Sequence, residues 1–62
     1  MMIGFFEFNL DNIRTIDEII KDELREENEN IGFKTPITEE NIFSITEGDG
    51  YYRFKAWYKY EV

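Results

Sequence analysis

The stretch "IFSITEGDGYYRFKAWYKYEV", residues 42–62, decides how this chain folds. Two runs of alternating side chains flank Gly48-Asp49-Gly50. Asp-Gly is a strong signal for a type I′ hairpin, and Gly-Asp suits type II′. Residues 42–47 and 51–61 therefore read as two antiparallel strands. With Asp49-Gly50 as the loop, Ile45 faces Phe54, Phe43 faces Ala56 and Ile42 faces Trp57. With Gly48-Asp49 as the loop, Ile45 faces Tyr52 and Phe43 faces Phe54. Both registers set apolar against apolar, as one buried face requires. A simple three-residue loop without a bulge would set Ile45 against Arg53, and is rejected. Either accepted register splits the last strand into two faces. Tyr52, Phe54, Ala56, Tyr58 and Tyr60 form one; Tyr51, Arg53, Lys55, Trp57, Lys59 and Glu61 form the other.

Working towards the N-terminus, "NIGFKTPITEE" (residues 30–40) holds the only proline and reads as a connection, with one helical turn after Thr38. Residues 11–29 read as a helix. Ile13, Ile16, Ile20 and Leu24 recur at spacings of three and four and make one apolar stripe, with Ile19 at its flank. Asp11 could cap the first turn, or Thr15 and Glu18 could form a capping box. Starting at Asp11 brings Ile13 into the stripe and is the preferred reading. Gly32 is the expected stop.

Residues 2–10 read as a first strand. Met2, Phe6, Phe8 and Leu10 share one face, and Ile3 and Phe5 precede Glu7 and Asn9 on the other. Apolar side chains on both faces suggest burial on both sides for part of its length. The order is β-α-β-β in a single domain over residues 1–62. The expected fold class is α+β: a three-stranded sheet in the order 2-3-1, with a right-handed crossover and one helix packed on one face. The helix then covers the face carrying Tyr52, Phe54, Ala56, Tyr58 and Tyr60.

Composition narrows the function classes. A domain of about 60 residues buries only around 60% of its unfolded surface, so its stability margin is thin. With no cysteine and no histidine, disulfides, thiolates and imidazole ligands are excluded, and oligomerisation is the remaining support for so small a core. Without His or Cys there is no ordinary imidazole base or thiolate nucleophile. Carboxylates are plentiful, but a general acid needs a dry, concave pocket, which a three-stranded sheet with one helix rarely encloses unless subunits assemble around it. No glycine loop cradles phosphate, and "EGDG" lacks the calcium-loop pattern. The expectation is a protein that is not an enzyme and uses no cofactor or metal. The N-terminus has no basic region or small-residue cleavage site, and no stretch approaches a membrane span. A cytoplasmic location with no membrane partner is expected.

The net charge of −7 disfavours nucleic acid, whose affinity rests on cations meeting phosphates. It favours a protein partner with a basic surface. Two surfaces remain for such a partner. One is the uncovered sheet face of Tyr51, Arg53, Lys55, Trp57 and Lys59, joined by Ile3, Phe5 and Ile42. Trp with Arg nearby is the composition of a binding hot spot. The other is the helix's outer face, where Glu18, Asp22 and Glu26 recur every four residues as an acidic ridge, relieved along one flank by Arg14, Lys21 and Arg25. The leading expectation is a small acidic protein-binding module, of the kind phages and mobile elements encode to inhibit or regulate a nucleic-acid-handling enzyme. The alternative is a homodimer or higher oligomer joined through its open sheet faces, enclosing a small aromatic ligand between rings.

Overall fold

The computed structural model describes residues 1–62. Strand β1 (Met2–Asn9), helix α1 (Ile16–Ile31), the 3-10 turn Glu39–Asn41, strand β2 (Ile42–Glu47) and strand β3 (Arg53–Tyr60) follow in that order. The fold is α+β: β3 lies between its two neighbours in the order β1-β3-β2, and both pairings are antiparallel. The helix covers one face. Phe6 and Phe8 of β1, Ala56 and Tyr58 of β3, Ile19, Ile20 and Leu24 of α1, and Ile37 from the connection form the buried core.

The helix starts later than the preferred reading. Asp11 accepts hydrogen bonds from the backbone N–H groups of Ile13 (2.9 Å) and Arg14 (2.8 Å). Such bonds can open a helix, but they also close a local turn by themselves, and here the chain then extends through Thr15 (ψ 161°). The Thr15–Glu18 capping box begins α1 instead. Ile13 therefore lies outside the helix, 91% exposed, and the buried stripe is centred on Ile19, Ile20 and Leu24. Gly32 ends the helix as expected, at φ 68° with its N–H bonded to the Asn28 carbonyl. Just before that stop, the Asn28 side chain donates to the Ile37 carbonyl and accepts from the Ile37 N–H. This two-point clamp holds the proline-containing connection against the core.

The hairpin is wider than either expected register. Ile45 pairs with Ala56, Thr46 with Lys55 and Glu47 with Phe54. The Gly48 N–H bonds to the Arg53 carbonyl at 2.8 Å, leaving residues 49–52 as the loop. Tyr52 takes a left-handed conformation (φ 55°) there, so β3 begins at Arg53 and Tyr52 is not under the helix. The parity of the expected registers survives, and Ile45 still shares a face with the even-numbered residues of β3. A bulge between Ile42 and Ser44 then shifts the ladder, so that Ile42 pairs with Tyr58 and Ser44 with Trp57. Such an insertion turns a side chain to the other face. Ile42 packs on the core and Phe43 takes the outer position expected for Ile42.

Gly4 pairs with Tyr58. A Cβ placed there would meet the Tyr58 ring at 2.8 Å, so the bare glycine lets the tyrosine lie across β1. The Tyr58 hydroxyl continues to α1 and donates to Glu27 at 2.6 Å. Burial, with help from the Glu27 carboxylate, raises the Tyr58 pKa well above its ordinary 10.0.

Candidate protein-binding site

Opposite the helix, the sheet is uncovered. Trp57 sits in the middle of β3 beside Phe5 of β1 and Ser44 of β2. The Phe5 and Trp57 rings lie 5.0 Å apart, tilted by 43°. The indole N–H donates to the Thr46 hydroxyl at 2.9 Å, which fixes the ring's orientation across the hairpin. Lys55 places its ammonium 4.8 Å from the Phe5 ring centre and 5.9 Å from that of Trp57. Lys59 sits 5.1 Å from the Phe43 ring. Cations over ring faces are attracted by the ring quadrupole. Ile3, Phe5 and Phe43 stay 58%, 44% and 50% exposed.

Arg53 is spent differently. It pairs with Glu7 and donates to the Asn9 side chain at 2.7 Å, tying β3 to β1 at one end of the face. Lys55 and Lys59 have no carboxylate partner among the molecule's ion pairs. The face thus has a polar, internally neutralised end and an aromatic centre with two free cations. The sequence suggested burial of β1 on both sides for part of its length. Its second side is not buried, because no element covers Ile3 and Phe5, and Phe5 meets only Trp57 and Lys55 of its own face. Tyr51 belongs to the hairpin loop, 92% exposed, and does not lie on the sheet.

The structure brings Arg53, Lys55, Trp57, Lys59, Ile3 and Phe5 together and leaves Tyr51 outside. Sequence reasoning missed Phe43, because the bulge breaks the alternation that assigned it inward. The adjacent apolar pair Ile42-Phe43 was the available signal. It also missed Thr46 as the hydrogen-bond partner of Trp57.

The acidic ridge is partly consumed inside the molecule. Glu18 bonds the Thr15 backbone and hydroxyl, and these bonds hold its carboxyl below the usual range. Asp22 pairs with Arg14 at 2.7 Å and with Arg25 at 3.0 Å. Asp11 is also held low, by the Arg14 and Ile13 backbone N–H groups first and the Arg14 guanidinium after them. Of the three ridge carboxylates, only Asp22 makes ion pairs, and Glu26 has neither an ion pair nor a side-chain hydrogen bond within the fold. Beside it, burial and the neighbouring Glu26 raise the carboxyl of Glu23.

The surface has one concavity, an open depression lined by Leu10, Asp11, Asn12 and Tyr52. Its only carboxylate is Asp11, already committed to two backbone amides and Arg14. No group of carboxylates converges closely enough to hold a metal ion, and no helix is long and apolar enough to cross a membrane.

Fold and site together define a small α+β domain with one sheet face packed and the other presented. No protein-family model, no curated protein and no solved structure matches the chain.

Proposed function

We propose that this protein is a non-catalytic binding module that docks another protein on its open sheet face. The uncovered Phe5–Trp57 pair, held in one orientation by Thr46 and flanked by Lys55 and Lys59, carries the reading. Oriented aromatic side chains with an adjacent cation are what interface hot spots are made of, and their rigidity lowers the entropy cost of docking. The free lysines ask for carboxylates at the rim of the partner's apolar surface. A non-catalytic role is supported by the absence of His and Cys and by the committed state of Asp11 in the only depression.

The class of partner that best suits an acidic chain of this size remains a nucleic-acid-handling enzyme that it inhibits or regulates. The helix ridge is the weaker docking surface, since Glu18 and Asp22 already have partners within the fold. Affinity capture with the native protein, the Trp57→Ala variant and the Glu18→Gln/Asp22→Asn/Glu26→Gln triple variant tests the reading. A partner retained by the triple variant and lost with Trp57→Ala supports it. A partner lost only with the triple variant moves the site to the helix and overturns it.

A further inference from the structure

The two edges of the sheet are built differently. β2 is six residues long, carries the bulge at Phe43 and ends in Glu47. Bulges, charges and shortness are the usual protections of an edge strand against pairing with another chain. β1 is eight residues long, pairs without a register break, and contains no proline or lysine and only one charge, Glu7. Glu7 is neutralised by Arg53 of its own chain.

The direction of the β1 backbone groups follows from its pairing. The Leu10 N–H donates to the Tyr52 carbonyl at 2.8 Å, in line with the register that sets Phe8 against Phe54 and Phe6 against Ala56. Antiparallel ladders alternate, so the even-numbered residues of β1 point their N–H and C=O groups at β3. Those of Ile3, Phe5, Glu7 and Asn9 point away, at the free edge. On β3 the same alternation appears from the other side. The Lys59 carbonyl takes the Asn41 amide at 3.0 Å and the Arg53 carbonyl takes the Gly48 N–H, both towards β2.

We propose that the free edge of β1 pairs antiparallel with β1 of a second copy of this chain, joining two three-stranded sheets into one continuous sheet about a two-fold axis. A second copy suits this edge better than the open face does. Face-to-face packing would bring Lys55 and Lys59 of both copies together, and the carboxylate beside Lys55, Glu7, is already held by Arg53; like charges set directly opposite destabilise. Edge pairing brings no uncompensated charge to the seam. It also satisfies the amides of Ile3, Phe5 and Glu7 by main-chain bonds, which make a self-complementary interface when two identical strands run antiparallel. The chain has reason to use it: only eight of its 62 residues are buried, and no disulfide or imidazole-bound metal supports the fold. Odd-numbered residues meet odd-numbered ones across the seam, so both Phe5–Trp57 pairs emerge on the same side of the joined sheet. The pairing stands independently of what docks on that side.

Amide hydrogen exchange of the full chain, followed residue by residue from micromolar to millimolar concentration, reads the proposal directly. The amides of Ile3, Phe5 and Glu7 should slow as concentration rises, whereas those of Gly4, Phe6 and Phe8 stay slow throughout. Sedimentation equilibrium should show dimers whose association strengthens with added salt, because each copy carries −7 and salt screens that repulsion. Ile3→Pro removes an edge-facing N–H without breaking a bond to β3, and should weaken association by on the order of 100-fold. Ile3→Lys, which adds an edge charge and keeps the backbone, should weaken it in the same direction should the proline variant fail to fold. Trp57→Ala should leave association unchanged. Three results would each overturn the proposal: a monomer at millimolar concentration, edge amides that exchange fast at every concentration, or a dimer split by Trp57→Ala but not by Ile3→Lys.

Discussion

The two faces of the sheet draw on the same strands, alternate residue by alternate residue, and end in different physical states. On the helix side, Phe6, Phe8, Ala56 and Tyr58 are buried beneath Ile19, Ile20 and Leu24. On the open side, Ile3, Phe5 and Phe43 stay about half exposed although they are just as apolar. The open face also carries Arg53, Lys55, Lys59 and Glu7, but for these apolar side chains chemistry alone does not set the burial. The supply of covering elements does: one helix and one connection cover β1 and β3 on one side, and even there leave Ile45 of the edge strand β2 45% exposed.

The comparison predicts its largest difference between two phenylalanines of one strand. Phe8 is buried against Phe54 and Phe6, with ring centres 5.9 Å and 6.1 Å away. Phe8→Ala should cost about 3–5 kcal/mol. That is a large share of the ~3–9 kcal/mol a domain of this size holds in total, so the variant should be substantially unfolded. Phe5→Ala loses one tilted aromatic contact and some half-buried area, and should cost under about 1.5 kcal/mol. Urea denaturation of both variants measures the gap. Equal losses would mean that the open face is buried in solution, and the contrast between the faces would collapse.

A smaller difference separates two neighbours in β1. Gly4→Ala drives a methyl into the Tyr58 ring at 2.8 Å, and the overpacking should cost about 1–3 kcal/mol. Ile3→Ala, one residue away on the open face, should change monomer stability by no more than about 0.5 kcal/mol. Comparing the two denaturation midpoints at a concentration where the chain is monomeric keeps assembly out of the measurement. A tolerated alanine at Gly4 would show that Tyr58 can move off β1, and that the packed face is looser than its burial implies.

Much of this contrast was legible in the sequence. The length and regularity of the last strand gave its central place in the sheet, and its alternation with the hairpin signal at Gly48-Asp49-Gly50 gave the parity that assigns Tyr58 inward and Trp57 outward. Parity survives an error of two residues in loop length, which is why the faces came out right while the register did not. The bulge was hidden because it depends on tertiary packing. Ile42 and Phe43 are both apolar, and only the core beneath Tyr58 decides which turns in. The helix start was ambiguous for a local reason: Asp11 and Thr15 both accept from backbone amides three residues ahead, and only Thr15 has a reciprocal glutamate. For Tyr51 and Tyr52 the strand pattern ran past its end into the loop, where a left-handed Tyr52 follows Gly50 at φ 111°.

The last test uses pH to read the packed face alone. Tyr58 is the core's only ionisable group, and burial together with Glu27 raises its pKa in the folded protein. Above about pH 10, where an unfolded tyrosine loses its proton, the folded state still holds this one. The unfolded state then binds fewer protons, so stability should fall by about 1.4 kcal/mol per pH unit from this residue. Below pH 10 both states keep the proton and the slope vanishes. Tyr58→Phe keeps the ring over Gly4 and deletes the proton, so the alkaline slope should lose this component while the variant gives up about 1 kcal/mol at neutral pH with the Glu27 bond. Denaturation midpoints of the two proteins between neutral pH and pH 11 decide it. A parent and a variant that fall with the same slope would mean that the Tyr58 hydroxyl reaches water, leaving the packed face open where β3 meets α1 through a polar bond.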